Sequence, residues 1–171
     1  MPFFVSIAFS FIAWSVVATR YIWPELRLQP RAAALRPLLI LHSFRFMGLA
    51  FLVPGVVSPD LPSAFARSAA YGDIIAALLA LLSLASLPSG GAGIVVAWIF
   101  NLWGSADLLN AFYQANRAGL QPGQLGAAYF IPTVLVPLML ITHGLVFRIL
   151  LRPQNVSAVQ ENRRPVSRPA A

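Results

Sequence analysis

Five long apolar segments constrain this chain more than any other feature of its sequence. They occupy residues 2–19, 37–57, 71–87, 93–113 and 127–151. At about 1.5 Å per residue, an α-helix needs about 20 apolar residues to cross the hydrocarbon core of a bilayer. The segments therefore predict an all-α integral membrane protein, a bundle of five transmembrane helices within residues 1–152.

The composition supports the same class of protein and excludes several kinds of chemistry. Hydrophobic residues make up 58% of the chain and charged residues 10%, whereas soluble domains average about 45–50% and about 25%. The chain has no cysteine, which excludes disulfides, thiolate catalysis and cysteine-ligated metal sites. It also has no lysine, so Schiff-base catalysis and a phosphate-binding loop with its lysine are excluded.

The basic residues, all of them arginine, predict the orientation of the bundle. Most lie in two regions, before the second segment and at the C-terminal end (Arg20, Arg27, Arg31, Arg36, Arg148, Arg152, Arg163, Arg164 and Arg168). Cytoplasmic loops of membrane proteins carry an excess of arginine and lysine. Five crossings with the N-terminus outside place both regions in the cytoplasm. The net charge of +7 then indicates contact with anionic lipid in the bilayer rather than nucleic-acid binding.

Two further expectations concern the ends of the chain and its location. Residues 153–171 are polar and contain proline and arginine, which predicts a disordered cytoplasmic tail. The first segment resembles a signal peptide but lacks a basic N-terminal region, so we expect it to be retained as a helix. The bias toward arginine and alanine is typical of a GC-rich bacterial genome, and it predicts a multi-pass protein of a bacterial inner membrane.

Arg45 is the most informative polar residue, because it falls near the centre of the second segment. An arginine at that depth costs about 2.5–3.5 kcal/mol on insertion scales, so its side chain should face the bundle and meet an acid. The acids within the apolar segments are Asp73 and Asp107. Asp107 is closer in estimated depth, which predicts an Arg45–Asp107 pair with Asp73 as a second candidate.

Asn101 and Asn110, on the same segment as Asp107, complete a predicted intramembrane polar cluster. Steps of three residues fall about 60° short of a full helical turn, so Asn101 and Asn110 should point to opposite sides. Asp107 and Asn110 can share a face. Two interpretations stay open: the cluster holds the bundle together, or it binds a small solute or a proton.

The two histidines offer a different function. His42 and His143 both fall about 7 Å to the cytoplasmic side of their helix centres. Imidazoles from separate helices at one depth can be the axial ligands of haem b in an electron-transfer protein. The alternative is that both are hydrogen-bonded within the bundle. Two histidines with no nearby carboxylate are a poor ligand set for other metals.

No motif of an enzyme is visible, so we expect no catalytic residue. A third hypothesis is an accessory subunit of a larger membrane complex. The small residues Gly72, Ala76 and Ala80 form one stripe that would let another helix approach, within this chain or in a homo-oligomer.

Several short blocks follow one another in a fixed order along the second to fifth segments. The blocks are Phe44-Arg45 with Gly48, Leu61-Pro62 with Phe65-Ala66, Gly72-Asp73, Asn101 with Gly104 and Asp107-Leu108, Ile131-Pro132-Thr133, Val136-Pro137 and His143. In this order, over about residues 37–150, the blocks resemble a group of small bacterial polytopic membrane proteins with no assigned activity. The resemblance implies a membrane protein and supplies no substrate or cofactor.

Overall fold

Five long helices build the structure, a computed structural model that describes residues 2–153. Their bounds are Pro2–Leu26 (α1), Arg31–Leu52 (α2), Ser63–Ser89 (α3), Gly91–Arg117 (α4) and Ile131–Leu150 (α5). A 3₁₀ helix, Pro122–Tyr129, precedes α5, and residues 2–153 contain no β-strand. All five helices are long and apolar enough to span a membrane, which confirms the predicted all-helical, membrane-compatible class. The disordered tail predicted at residues 153–171 falls, from residue 154 onward, outside the described part of the chain.

Prolines account for several helix ends that differ from the sequence expectation. Pro30 and Pro62 stand immediately before α2 and α3, so both helices begin earlier than the apolar runs themselves. Val53, the residue before Pro54, is extended (φ −90°, ψ 116°) and ends α2 at Leu52. α5 begins later than expected, because residues 127–129 belong to the preceding 3₁₀ helix.

α2 changes its winding midway, and this change places Arg45. It is a regular α-helix from Arg31 to Ser43 and a 3₁₀ helix over Phe44–Leu52. A 3₁₀ helix has about three residues per turn, so side chains at i and i+3 lie on one face. The buried residues of this half are Arg45, Gly48 and Phe51. The three-residue spacing therefore turns one charged, one small and one aromatic residue toward the bundle.

Four helices surround the site, and α1 lies outside them. α3 packs most extensively on α4, to which it connects through a tight turn at Gly90, and α2 and α5 complete the group. α1 packs mainly on α5. Its Phe4 and Phe9 are 73% and 69% exposed, as expected of side chains that face lipid.

Two apolar clusters fill the bundle, one toward each end. The cluster at the arginine-rich end includes Leu39, Phe100 and Ile149. The cluster at the opposite end includes Phe51 and Phe65. The polar residues singled out from the sequence lie between the two clusters.

Candidate functional site

Arg45 is buried, with 4% of its surface exposed, and its guanidinium group faces two carboxyl groups. Nε donates to Oδ1 of Asp73 at 2.8 Å, and Nη2 lies 2.7 Å from the same oxygen. Nη2 also donates to Oδ2 of Asp107 at 2.6 Å. Nη1 donates to the backbone carbonyl of Gly104 at 3.1 Å. The arginine therefore joins α2 to α3 and α4, with two acids for one base.

His143 extends this network to α5. Nη1 of Arg45 lies 3.4 Å from Nε2 of His143, and Nδ1 of His143 lies 2.7 Å from Oδ1 of Asn101. A guanidinium can only donate, so Nε2 accepts and Nδ1 carries the proton that bonds Asn101. Asn101 also donates from Nδ2 to the His143 carbonyl at 3.4 Å. These bonds assign a neutral imidazole to His143.

His42 packs beside His143 on the other side of the network. The two ring centroids are 4.1 Å apart, and His42 Nε2 lies 3.0 Å from Oγ1 of Thr142. Oγ1 of Thr142 is also within hydrogen-bonding distance of the Leu138 and Met139 carbonyls, at 2.8 and 3.0 Å. Within residues 2–153, Nδ1 of His42 is buried without a hydrogen-bond partner. The chain of polar contacts that runs from Arg45 through His143 therefore ends at His42.

Asn110, predicted as a member of the cluster, lies apart from it. It is exposed on α4 and donates from Nδ2 to Oγ of Ser68 on α3 at 3.4 Å. Asn101 is fully buried against His143 instead. The structure therefore brings together Arg45, Asp73, Asn101 and Asp107, adds His143, and leaves Asn110 outside.

Three glycines make room for the charged side chains. A Cβ atom on Gly48 would overlap the carboxyl group of Asp73, and one on Gly72 would overlap that of Asp107. A Cβ on Gly104 would lie 2.7 Å from Nε2 of His143 and 2.9 Å from Nη1 of Arg45. The sequence analysis predicts that Gly72 lets another helix approach, but it predicts no contact between these glycines and the charged groups. Each glycine lies on one of the three helices that Arg45 joins.

A cavity of about 430 Å³ reaches the carboxyl groups from the end of the bundle opposite the arginine-rich loops. Its wall comes from the N-terminal half of α1, the ends of α2 and α4, and the starts of α3 and α5. The lining is mainly apolar, and its acidic members are Asp73 and Asp107. Arg45 does not line this cavity. A molecule inside it therefore meets the carboxyl groups with the guanidinium behind them.

The histidines as placed do not fit haem. Two axial imidazoles hold the macrocycle between them, whereas the rings of His42 and His143 are in contact at 4.1 Å between centroids. The ring nitrogens Nε2 of His42 and both nitrogens of His143 face protein partners. Within residues 2–153, no group of three histidine, aspartate or glutamate side chains is placed to hold a metal ion.

We predict that Gly104→Ala lowers the free energy of unfolding by about 1–3 kcal/mol, the usual cost of an added methyl group in a packed interior. The matched control is Gly144→Ala on α5, where nothing beyond the chain neighbours and the backbone of α5 itself lies within 4 Å of the added Cβ. Alanine there should be neutral or stabilising by up to about 1 kcal/mol, because glycine is a poor helix former. Reversible unfolding in mixed micelles measures the free energy of unfolding of both variants. Equal effects of the two substitutions would show that the glycine at the site has no special packing role.

Comparison with known proteins places the chain in a family. The sequence model of a domain of unknown function, DUF8737, matches residues 2–151. No curated protein and no solved structure matches the chain. The matched region contains all five long helices and every residue of the polar network. The protein therefore belongs to the DUF8737 family.

Proposed function

We propose that this chain is a multi-pass protein of a bacterial inner membrane that binds a proton or a small solute at Asp73 and Asp107. The observation that carries the proposal is the cavity of about 430 Å³, which has both carboxyl groups in its wall. Carboxyl groups that only held the helices together would not need to be reached from a cavity. The residues of the network also hold four helices together, so the binding role adds to a structural one.

An imbalance of charge supports the proposal. One guanidinium group faces two carboxyl groups, and the partners of His143 leave its imidazole neutral. A buried charge without a counterion is costly, so the second carboxyl group favours a bound proton or a bound cation. The side chains of Asp73 and Asp107 are 13% and 11% exposed, compared with 2% for Arg45.

The arginines at the end of the bundle remote from the cavity support a proposed orientation in the membrane. Arg148 packs over the ring of Trp23 at 4.1 Å, and Arg152 donates to the carbonyls of Leu26 and Arg27 at 3.3 and 2.8 Å. An arginine-rich end belongs in the cytoplasm by the positive-inside rule. The proposed orientation therefore has the N-terminus outside, the C-terminus in the cytoplasm and the cavity on the outer side.

Single cysteines test this orientation, because the chain has none of its own. Ser89→Cys and Gly123→Cys add thiols at exposed positions, the first at the last residue of α3 and the second in the 3₁₀ helix between α4 and α5. A membrane-impermeant maleimide added to intact cells should label Gly123→Cys, with Ser89→Cys labelled only after the membrane is opened. The opposite pattern would reverse the orientation.

Dicyclohexylcarbodiimide tests the binding proposal, because this apolar reagent couples to protonated carboxyl groups in apolar surroundings. We predict one adduct per chain on Asp73 or Asp107 in protein reconstituted in nanodiscs, measured by intact mass and peptide mapping. Lower pH should increase the labelling. The double variant Asp73→Asn/Asp107→Asn should lose the adduct, and Asp60→Asn, in an exposed loop, should keep it.

Absence of an adduct on either aspartate across the range from about pH 4 to pH 9 would reduce the cluster to a closed structural ion pair. The accessory-subunit hypothesis stays a prediction, and so does the haem hypothesis, although the contact between the rings of His42 and His143 argues against it. An absorbance spectrum of the purified protein tests the haem hypothesis, and co-purification from native membranes tests the accessory-subunit hypothesis.

A further inference from the structure

We propose, resting on the proposed function, that the cavity binds a lipophilic monocation. The ligand would have an apolar body and a protonated amine or quaternary ammonium head that contacts Asp73 and Asp107. Charge, cavity size and the character of the lining each point to this chemical class.

The charge of the site selects the head group. The hydrogen bonds of Arg45 use Oδ1 of Asp73 and Oδ2 of Asp107, one oxygen of each carboxyl group. The guanidinium directs its remaining nitrogen, Nη1, to the Gly104 carbonyl and to His143. Because Asp73 and Asp107 line the cavity and Arg45 does not, a ligand that enters it meets carboxyl groups as acceptors, and a cation would also neutralise the excess acid. An anionic head would be repelled.

The size and lining of the cavity select the body. A volume of about 430 Å³ falls in the range of about 300–1,000 Å³ typical of small-molecule sites. Phenyl rings from four helices line it (Phe3, Phe4, Phe11, Phe51, Phe65 and Phe112). Such rings bury an apolar chain, and their faces attract cations within about 6 Å. An inorganic cation would gain little binding energy from such apolar walls. An amine or ammonium with an apolar body would bind both the walls and the carboxyl groups.

The position of the cavity fits a ligand that dissolves in the bilayer. α1 supplies one wall, and within Pro2–Ile22 the buried residue is Ala18 alone. Phe4 both lines the cavity and is 73% exposed, so one side chain faces the cavity and the lipid. A lipophilic molecule can therefore reach the cavity beside α1 without crossing water.

Three probes that share one apolar body test the proposal. Radiolabelled octylammonium, octanol and octanoate are added to protein in nanodiscs of zwitterionic lipid, and binding to empty nanodiscs is subtracted. We expect saturable binding of one octylammonium per chain, at least tenfold tighter than octanol, and no saturable binding of octanoate. Asp107→Asn should weaken octylammonium binding at least tenfold, and Asp60→Asn should leave it unchanged.

Equal affinity for octanol and octylammonium, or an Asp107→Asn protein that binds octylammonium like the parent, would overturn the proposal. If Asp107→Asn does not fold, the comparison of head groups on the parent protein decides alone. Carbodiimide labelling without octylammonium binding would refute the proposal of a lipophilic cation and leave the proposal of proton binding in place. Failure of the labelling as well would refute both proposals.

Discussion

The rest of this structure depends on one interaction, the pairing of a buried arginine with two acids among apolar helices. A guanidinium in hydrocarbon is costly unless its donors are satisfied. Arg45 meets that requirement through Asp73, Asp107 and the Gly104 carbonyl. Each partner comes from α3 or α4, so the charge fixes three helices against one another. The same arrangement leaves one carboxyl group in excess, and that excess is the basis of the proposed binding function.

The bundle accommodates this charge by local changes in backbone and side-chain size. The 3₁₀ winding of Phe44–Leu52 points Arg45 and Gly48 in one direction. Glycines at the three contact points let the helices approach until the charged groups touch. The apolar clusters on either side keep the network between them. Removal of any one of these features would separate charged groups that depend on their contacts.

Much of the helical framework follows from the sequence, because apolar length and the cost of a buried charge are local properties. The cost of a buried charge also predicts from the sequence that Arg45 pairs with Asp107 or Asp73. Contacts that depend on how each helix is wound and rotated about its axis are harder to predict from the sequence. Asn110 sits only three residues from Asp107 yet faces away. Of the two interpretations that the sequence leaves open for His143, the structure shows hydrogen bonding within the bundle, with Asn101 and Arg45 as the partners. The cavity arises from the gap beside α1, which no sequence pattern reveals.

The free energy of unfolding of Arg45→Met, compared with that of Arg45→Met/Asp73→Asn/Asp107→Asn, tests the central claim most directly. The single substitution leaves two buried acids without their counterion and should cost about 3–5 kcal/mol. The triple variant removes the charges together and should recover a large part of that loss. A triple variant no more stable than the single one, or an Arg45→Met protein as stable as the parent, would contradict the account.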